Sequence, residues 1–139
     1  MHLSAALLLG AFTAAMLGCD RIPPSTCDRG AEANPAIRYA EGTMEDGVYM
    51  SSPWDGELLY FPGGMRYAIE HKLGRAPRWI SAYLSFERDG TKSGTLAEAS
   101  GNQVVLLDVD AAAVTLANDS CVDYWLLVAA GSGDRVGAP

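Results

Sequence analysis

The chain has 139 residues, 49% of them apolar and 19% charged, which excludes wholesale disorder and supplies the core of one domain. A net charge of −7 opposes binding to nucleic-acid backbones or anionic lipid surfaces. Only two histidines are present, and His2 falls in the apolar N-terminal segment expected to be removed, which nearly empties the pool for a multi-histidine metal centre.

Residues 3–18 carry no charged side chain, and the run from Ala5 to Leu17 is almost wholly apolar. Roughly 13 residues suit the apolar region of a signal peptide and fall short of the ~20 that span a bilayer as a helix. The run meets Met16-Leu17-Gly18-Cys19, a stretch that resembles the lipobox of bacterial lipoproteins. The resemblance implies a signal peptide over residues 1–18 and acylation of Cys19, which becomes the mature amino terminus. The protein is then expected in the cell envelope, held to the inner or outer membrane by its acyl chains and facing the periplasm or the cell surface.

Three cysteines leave one odd thiol unless one is consumed elsewhere. Acylation of Cys19 leaves Cys27 and Cys121, which an oxidising compartment would join. Such a disulfide closes a loop of roughly 95 residues, and two separate buried thiols are the alternative reading.

Residues 19–35 contain Pro23, Pro24 and Pro35 among Ser25, Thr26 and charged side chains, the composition of an extended tether. From there to residue 132 the chain alternates short apolar runs with Gly, Pro and Asn/Asp punctuation, the pattern of many short strands. Residues 133–139 are expected to be a flexible C-terminal tail. Trp54-Asp55-Gly56 marks a turn. Leu58 to Phe61, Pro62-Gly63-Gly64 and Met65 to His71 read as a hairpin whose glycines supply positive φ.

Arg78 to Glu87 has a strict period of two. Ile80, Ala82, Leu84 and Phe86 share one face, and Trp79, Ser81, Tyr83 and Ser85 the other. Val104 to Val109 follows, with Val105, Leu107 and Val109 opposite Leu106 and Asp108. Ala111-Ala112-Ala113, flanked by Asp110 and the β-branched Val114 and Thr115, reads as a turn between strands. Val122 to Ala130 is apolar on both faces, as a central strand covered on each side would be. The expectation is an all-β chain: an antiparallel β-sandwich of about 7–9 short strands over residues 36–132.

Catalysis is poorly supplied. His71 would be the sole mature histidine of a nucleophilic triad, and no serine occupies a Gly-x-Ser-x-Gly elbow. A strand-end hydrogen bond is the plainer role for His71. Asp108 and Asp110 offer oxygen ligands to a cation such as calcium, but no glycine-bearing calcium loop follows, so they read as a solvated rim. Asn118-Asp119-Ser120 reads as the turn before Cys121. No enzyme, cofactor or metal is expected.

The aromatic residues are more informative. Trp79 and Tyr83 lie on the polar face of their strand, separated by Ser81, and the Trp54-Asp55 turn adds a ring and a carboxylate. Rings flanked by hydroxyls are covered by a further layer, meet a second subunit, or stack a ligand such as a sugar.

The stretch His71-Lys72-Leu73-Gly74-Arg75-Ala76-Pro77, entering the strand Trp79 to Phe86, resembles C-terminal domains of phage tail fibres. The later pattern, Val114 to Asn118 and then Tyr124-Trp125-Leu126-Leu127-Val128-Ala129, is similar to the last strands of those domains and of H-type lectins. The likeness runs from Met65 to Ala130 and implies a β-sandwich that often forms homotrimers and often recognises glycans. Two functions follow as expectations. The first is a lipid-anchored, non-enzymatic binding or adhesion module that recognises a glycan or an envelope protein through Trp79, Tyr83, Trp54 and Asp55. The second is a structural subunit of a cell-envelope complex.

Overall fold

A computed structural model describes residues 32–133; Cys19, Cys27, the signal peptide, most of the tether and the end of the tail lie outside the described residues. Ten strands make two sheets packed face to face: β1 (Ile37–Tyr39), β2 (Thr43–Glu45), β3 (Val48–Met50), β4 (Leu59–Phe61), β5 (Arg66–Glu70), β6 (Trp79–Ser85), β7 (Ala97–Glu98), β8 (Val105–Val109), β9 (Ala113–Ala117) and β10 (Tyr124–Gly131). A single helical turn, α1 (Gly90–Ser93), follows β6. The four-stranded sheet runs β1-β5-β9-β8, and the six-stranded sheet runs β2-β3-β10-β6-β7 with β4 also on β10. The expected β-sandwich is therefore present. One pairing, β1 with β5, is parallel.

β10 organises the larger sheet. Its continuous apolar run is buried along almost its whole length, as a central strand must be when both faces are covered. One edge pairs with all of β6, from Trp125 opposite Ser85 to Gly131 opposite Trp79. The other edge is divided between β4, on Tyr124 to Leu126, and β3, on Ala129 to Gly131. Residues 51–58 leave the sheet between those two short strands. The inter-sheet core is built from Tyr49, Phe61, Tyr67, Ile69, Leu84, Val114, Leu116, Tyr124, Leu126 and Val128.

Three sequence expectations are corrected. Leu58 to Phe61 and Met65 to His71 do not form a hairpin, because β4 belongs to the larger sheet and β5 to the smaller. The Pro62-Gly63-Gly64 turn instead carries the chain across the sandwich. It is clasped by the 118–123 turn: Gly64 N–H donates to Asn118 O (2.8 Å), and Gly63 N–H donates to Asp123 Oδ1 (3.0 Å). A Cβ on Gly63 would lie 2.8 Å from the Cys121 backbone, so only glycine fits this crossing.

Phe86, assigned to the core face, is 70% exposed, because β6 ends at Ser85 and the chain turns away. The alternation in β8 breaks at a bulge between Leu106 and Asp108, which leaves both Leu106 and Leu107 exposed on an edge strand. On the other face of β6, Ser81 and Ser85 are buried, as the reading in which a further layer covers that face expects.

The turns at 62–64 and 118–123 lie at one pole, and His71, Asp110 and Gly131 at the other. The eight residues of β10 separate the poles by about 23 Å.

Candidate functional site

The period of two in β6 sends Ile80, Ala82 and Leu84 into the inter-sheet core and Trp79, Ser81 and Tyr83 to the outer face. There a second apolar cluster forms around Leu58, Leu127 and Ala129, with Met50, Trp79, Tyr83, Leu96 and Trp125 half-buried against it. Leu127 is completely buried although it faces away from the other sheet.

Its cover is the 51–58 segment. Ser51 anchors that segment to β10 twice: its N–H donates to Val128 O, and its Oγ accepts from Val128 N–H, both at 2.9 Å. The chain then makes a turn closed by Gly56 N–H on Pro53 O (2.9 Å). Trp54 is thereby carried across β10 to meet the edge of Tyr83, with ring centres 5.5 Å apart and planes at 85°.

Two cavities flank this aromatic pair. The first, about 220 Å³, is lined by Trp54, Trp79 and Tyr83 together with Val48, Met50, Ser81 and Ala129. Among the described residues no charged side chain lines it. The second, about 280 Å³, shares Trp54 and Tyr83 as a wall and adds Gly90, Thr91, Gly94, Leu96 and Glu98. Thr91 Oγ1 is buried without a hydrogen-bond partner among the described residues.

Of the candidates read from the sequence, Trp54, Trp79 and Tyr83 therefore converge on one cavity. Asp55 does not line it and lies exposed at the loop corner. Trp79 and Tyr83 are half-buried, and Trp54 is 52% exposed.

Trp125 was not a sequence candidate, yet it shares this outer face. It packs on Tyr60 at 5.0 Å, with the Arg88 guanidinium 5.7 Å from its ring centre. The apolar run around Trp125 hid the alternation that would have placed it. The Tyr60 hydroxyl donates to Asp123, and that bond raises its pKa.

The remaining candidates are structural. His71 is buried at the end of β5, where Nδ1 accepts from Leu73 N–H (3.2 Å). Nε2 therefore carries the proton and donates to Asp110 O at 3.1 Å. The Asp110 carboxylate accepts from Ala112 and Ala113 N–H at 2.7 and 2.8 Å, closing the β8–β9 turn, and the Ala113 and Ala112 bonds hold its pKa below the usual range. Asp108 accepts from Val109 N–H. No group of three potential metal ligands occurs among the described residues.

Asn118 is fully buried. Its Nδ2 donates to Phe61 O (2.9 Å) and Val122 O (2.7 Å), and its Oδ1 accepts from Ser120. This is the expected turn before Cys121. Comparison of the chain with known protein families, with curated proteins and with solved structures found no match in any of the three.

Proposed function

We propose that this chain is a non-enzymatic binding module, anchored to the bacterial cell envelope through an acylated Cys19, that holds a glycan or an envelope protein on its Trp54/Trp79/Tyr83 face. The observation that carries the reading is the convergence of those three rings on one cavity of about 220 Å³. A preformed concave site with aromatic walls is what a ligand-binding surface needs, and it limits the entropy lost on binding.

The anchoring half of the proposal draws support from the pole where the tether arrives. Asn34 Nδ2 donates to Gly64 O, and the Gly63 backbone packs on Cys121. Residue 27 lies seven positions upstream of Asn34, a reach of at most about 25 Å. A Cys27–Cys121 disulfide at this pole would fix the tether to the domain. Trp79 sits beside Gly131 at the opposite pole, so an anchored molecule would display its first cavity away from the lipid.

A second reading, an assembly subunit of an envelope complex, is favoured by the apolar edge strand β8 with exposed Leu106 and Leu107.

The test replaces Trp54, whose exposure makes its removal compatible with folding. Glycan arrays and pull-downs from envelope extracts should lose their signal with Trp54→Ala while the melting temperature stays within a few degrees. A captured partner that survives Trp54→Ala but is lost on Leu106→Lys would favour the assembly reading. Intact mass of the protein from a bacterial host, with Cys19→Ser as control, tests the acyl anchor.

A further inference from the structure

We infer that the ligand is a protein segment that seats one apolar side chain in the first cavity and sets a lysine or arginine against Glu98 in the second. This rests on the preceding reading of the aromatic face and names what that face takes.

The lining of the first cavity decides against a sugar. Its side-chain hydrogen-bonding groups are few: a buried Ser81, the hydroxyl of Tyr83 and the indole N–H groups of Trp54 and Trp79. A pyranose brings several hydroxyls, and each that loses water without gaining a partner costs about 1–3 kcal/mol. An aliphatic or aromatic side chain brings no such group, and a volume of about 220 Å³ suits one of them. The walls are also set in advance. A Cβ on Gly131 would fall 2.5 Å from the Trp79 ring, so the indole lies on bare backbone, while Tyr83 is held edge-on by Trp54.

The second cavity supplies the charge. It lies across the Trp54/Tyr83 wall, so a short extended segment reaches both. Glu98 stands directly opposite Tyr83 on edge strand β7 and is exposed. Among the described residues nothing hydrogen-bonds or ion-pairs with its carboxylate. An ammonium or guanidinium group, a donor only, matches the exposed carboxylate. The chain's net charge of −7 favours the approach of a basic segment.

The experiment follows the indole N–H resonances of the full chain in mild detergent, with Trp125 as internal reference. Four probes are titrated to millimolar concentration: the blocked peptides Lys-Ala-Phe-Ala-Lys and Glu-Ala-Phe-Ala-Glu, cellotetraose and chitotetraose. The basic peptide should shift Trp54 and Trp79 saturably and leave Trp125 in place. The acidic peptide should bind about three- to fivefold more weakly. Glu98→Gln should narrow that difference, while Glu45→Gln, which removes the charge of a remote exposed residue on the opposite edge strand, should not. Equal binding of the two peptides, or silence with both, overturns the inference. Shifts from a tetrasaccharide alone also overturn it and leave the aromatic-face reading standing. That reading falls separately, if Trp54→Ala leaves capture of glycan and envelope protein unchanged.

Discussion

The indole of Trp79 rests on the backbone of Gly131, its register partner across β6 and β10. A Cβ at Gly131 would come within 2.5–2.6 Å of three atoms of the ring. The φ of Gly131 is not in the left-handed region, so glycine is needed here for the close approach and not for its conformational freedom. Gly131→Ala should push the indole out of the first cavity, lowering stability by about 1–3 kcal/mol. Thermal unfolding and a red-shifted tryptophan emission would report it. Gly133→Ala, whose Cβ meets nothing within 4 Å, should leave both unchanged.

Tyr83 and Trp54 touch, but their removal should have different consequences. Trp54 is 52% exposed at the tip of its loop, whereas Tyr83 is half-buried against the second apolar cluster. Tyr83→Ala should cost about 2–4 kcal/mol, and Trp54→Ala less than about 1 kcal/mol. Both remove a wall shared by the two cavities. Only Trp54→Ala therefore separates binding from folding, with chemical denaturation as the check.

The alternation in β6 was enough to place Ile80 and Leu84 inward and Trp79 and Tyr83 outward. Period two encodes which side a residue takes and carries nothing about what lies over that side. The cover came from residues 51–58, whose path depends on β3 and β4 dividing one edge of β10, a long-range pairing. Pro62-Gly63-Gly64 was legible as a turn, but a tight reversal within one sheet and a crossing between two use the same residues. Trp125 was hidden by the opposite problem: where both faces are apolar, the period vanishes. The local bonds of His71 to Leu73 and of Asn118 to Ser120 and Val122 were legible within their own turns, whereas those to Asp110 and Phe61 depend on strand pairings far along the chain.

Asn118 ties both chain crossings at one pole through four hydrogen bonds. Asn118→Ala strands the carbonyls of Phe61 and Val122 and should cost about 2–4 kcal/mol. Asn118→Asp aims a carboxylate at those two carbonyl oxygens and can donate to one only when protonated. Its folded pKa would be raised, so the folded variant holds the proton more tightly than the unfolded chain. Its stability should fall as pH rises past the unfolded value of about 3.9, which urea unfolding at several pH values would detect.

Asp110 should behave in the opposite sense. Backbone N–H groups of Ala113 and Ala112 lower its folded pKa. The stabilisation is present above the unfolded value of about 3.9 and disappears as pH falls through the lower folded value. Asp110→Asn keeps the Oδ1 acceptor but removes the charge, so the acid-side slope of stability should flatten. Urea midpoints between about pH 2 and pH 5 check this; an unchanged slope would assign the acid sensitivity to other carboxylates, with Glu70 beside Arg38 the next to replace.

The proposed Cys27–Cys121 bridge makes the last prediction, and the backbone at Cys121 sharpens it. Cys121 has φ 58, a left-handed conformation that a side chain disfavours by about 1–2 kcal/mol. A disulfide closing roughly 95 residues would contribute about 4–5 kcal/mol on the loop-entropy argument. Docking of Asn34 on Gly64 already restrains the arm in the folded state; the bridge acts mainly on the unfolded chain, which lacks that contact. Cys27→Ser should therefore lose the full bridge contribution and leave the strain. Cys121→Gly loses the bridge but relieves the strain, so it should melt above Cys27→Ser. Thiol titration of the denatured protein completes the test, since a bridged and acylated chain exposes no free thiol before reduction. Two reactive thiols in that unreduced sample, with equal melting of both variants, would overturn the pairing.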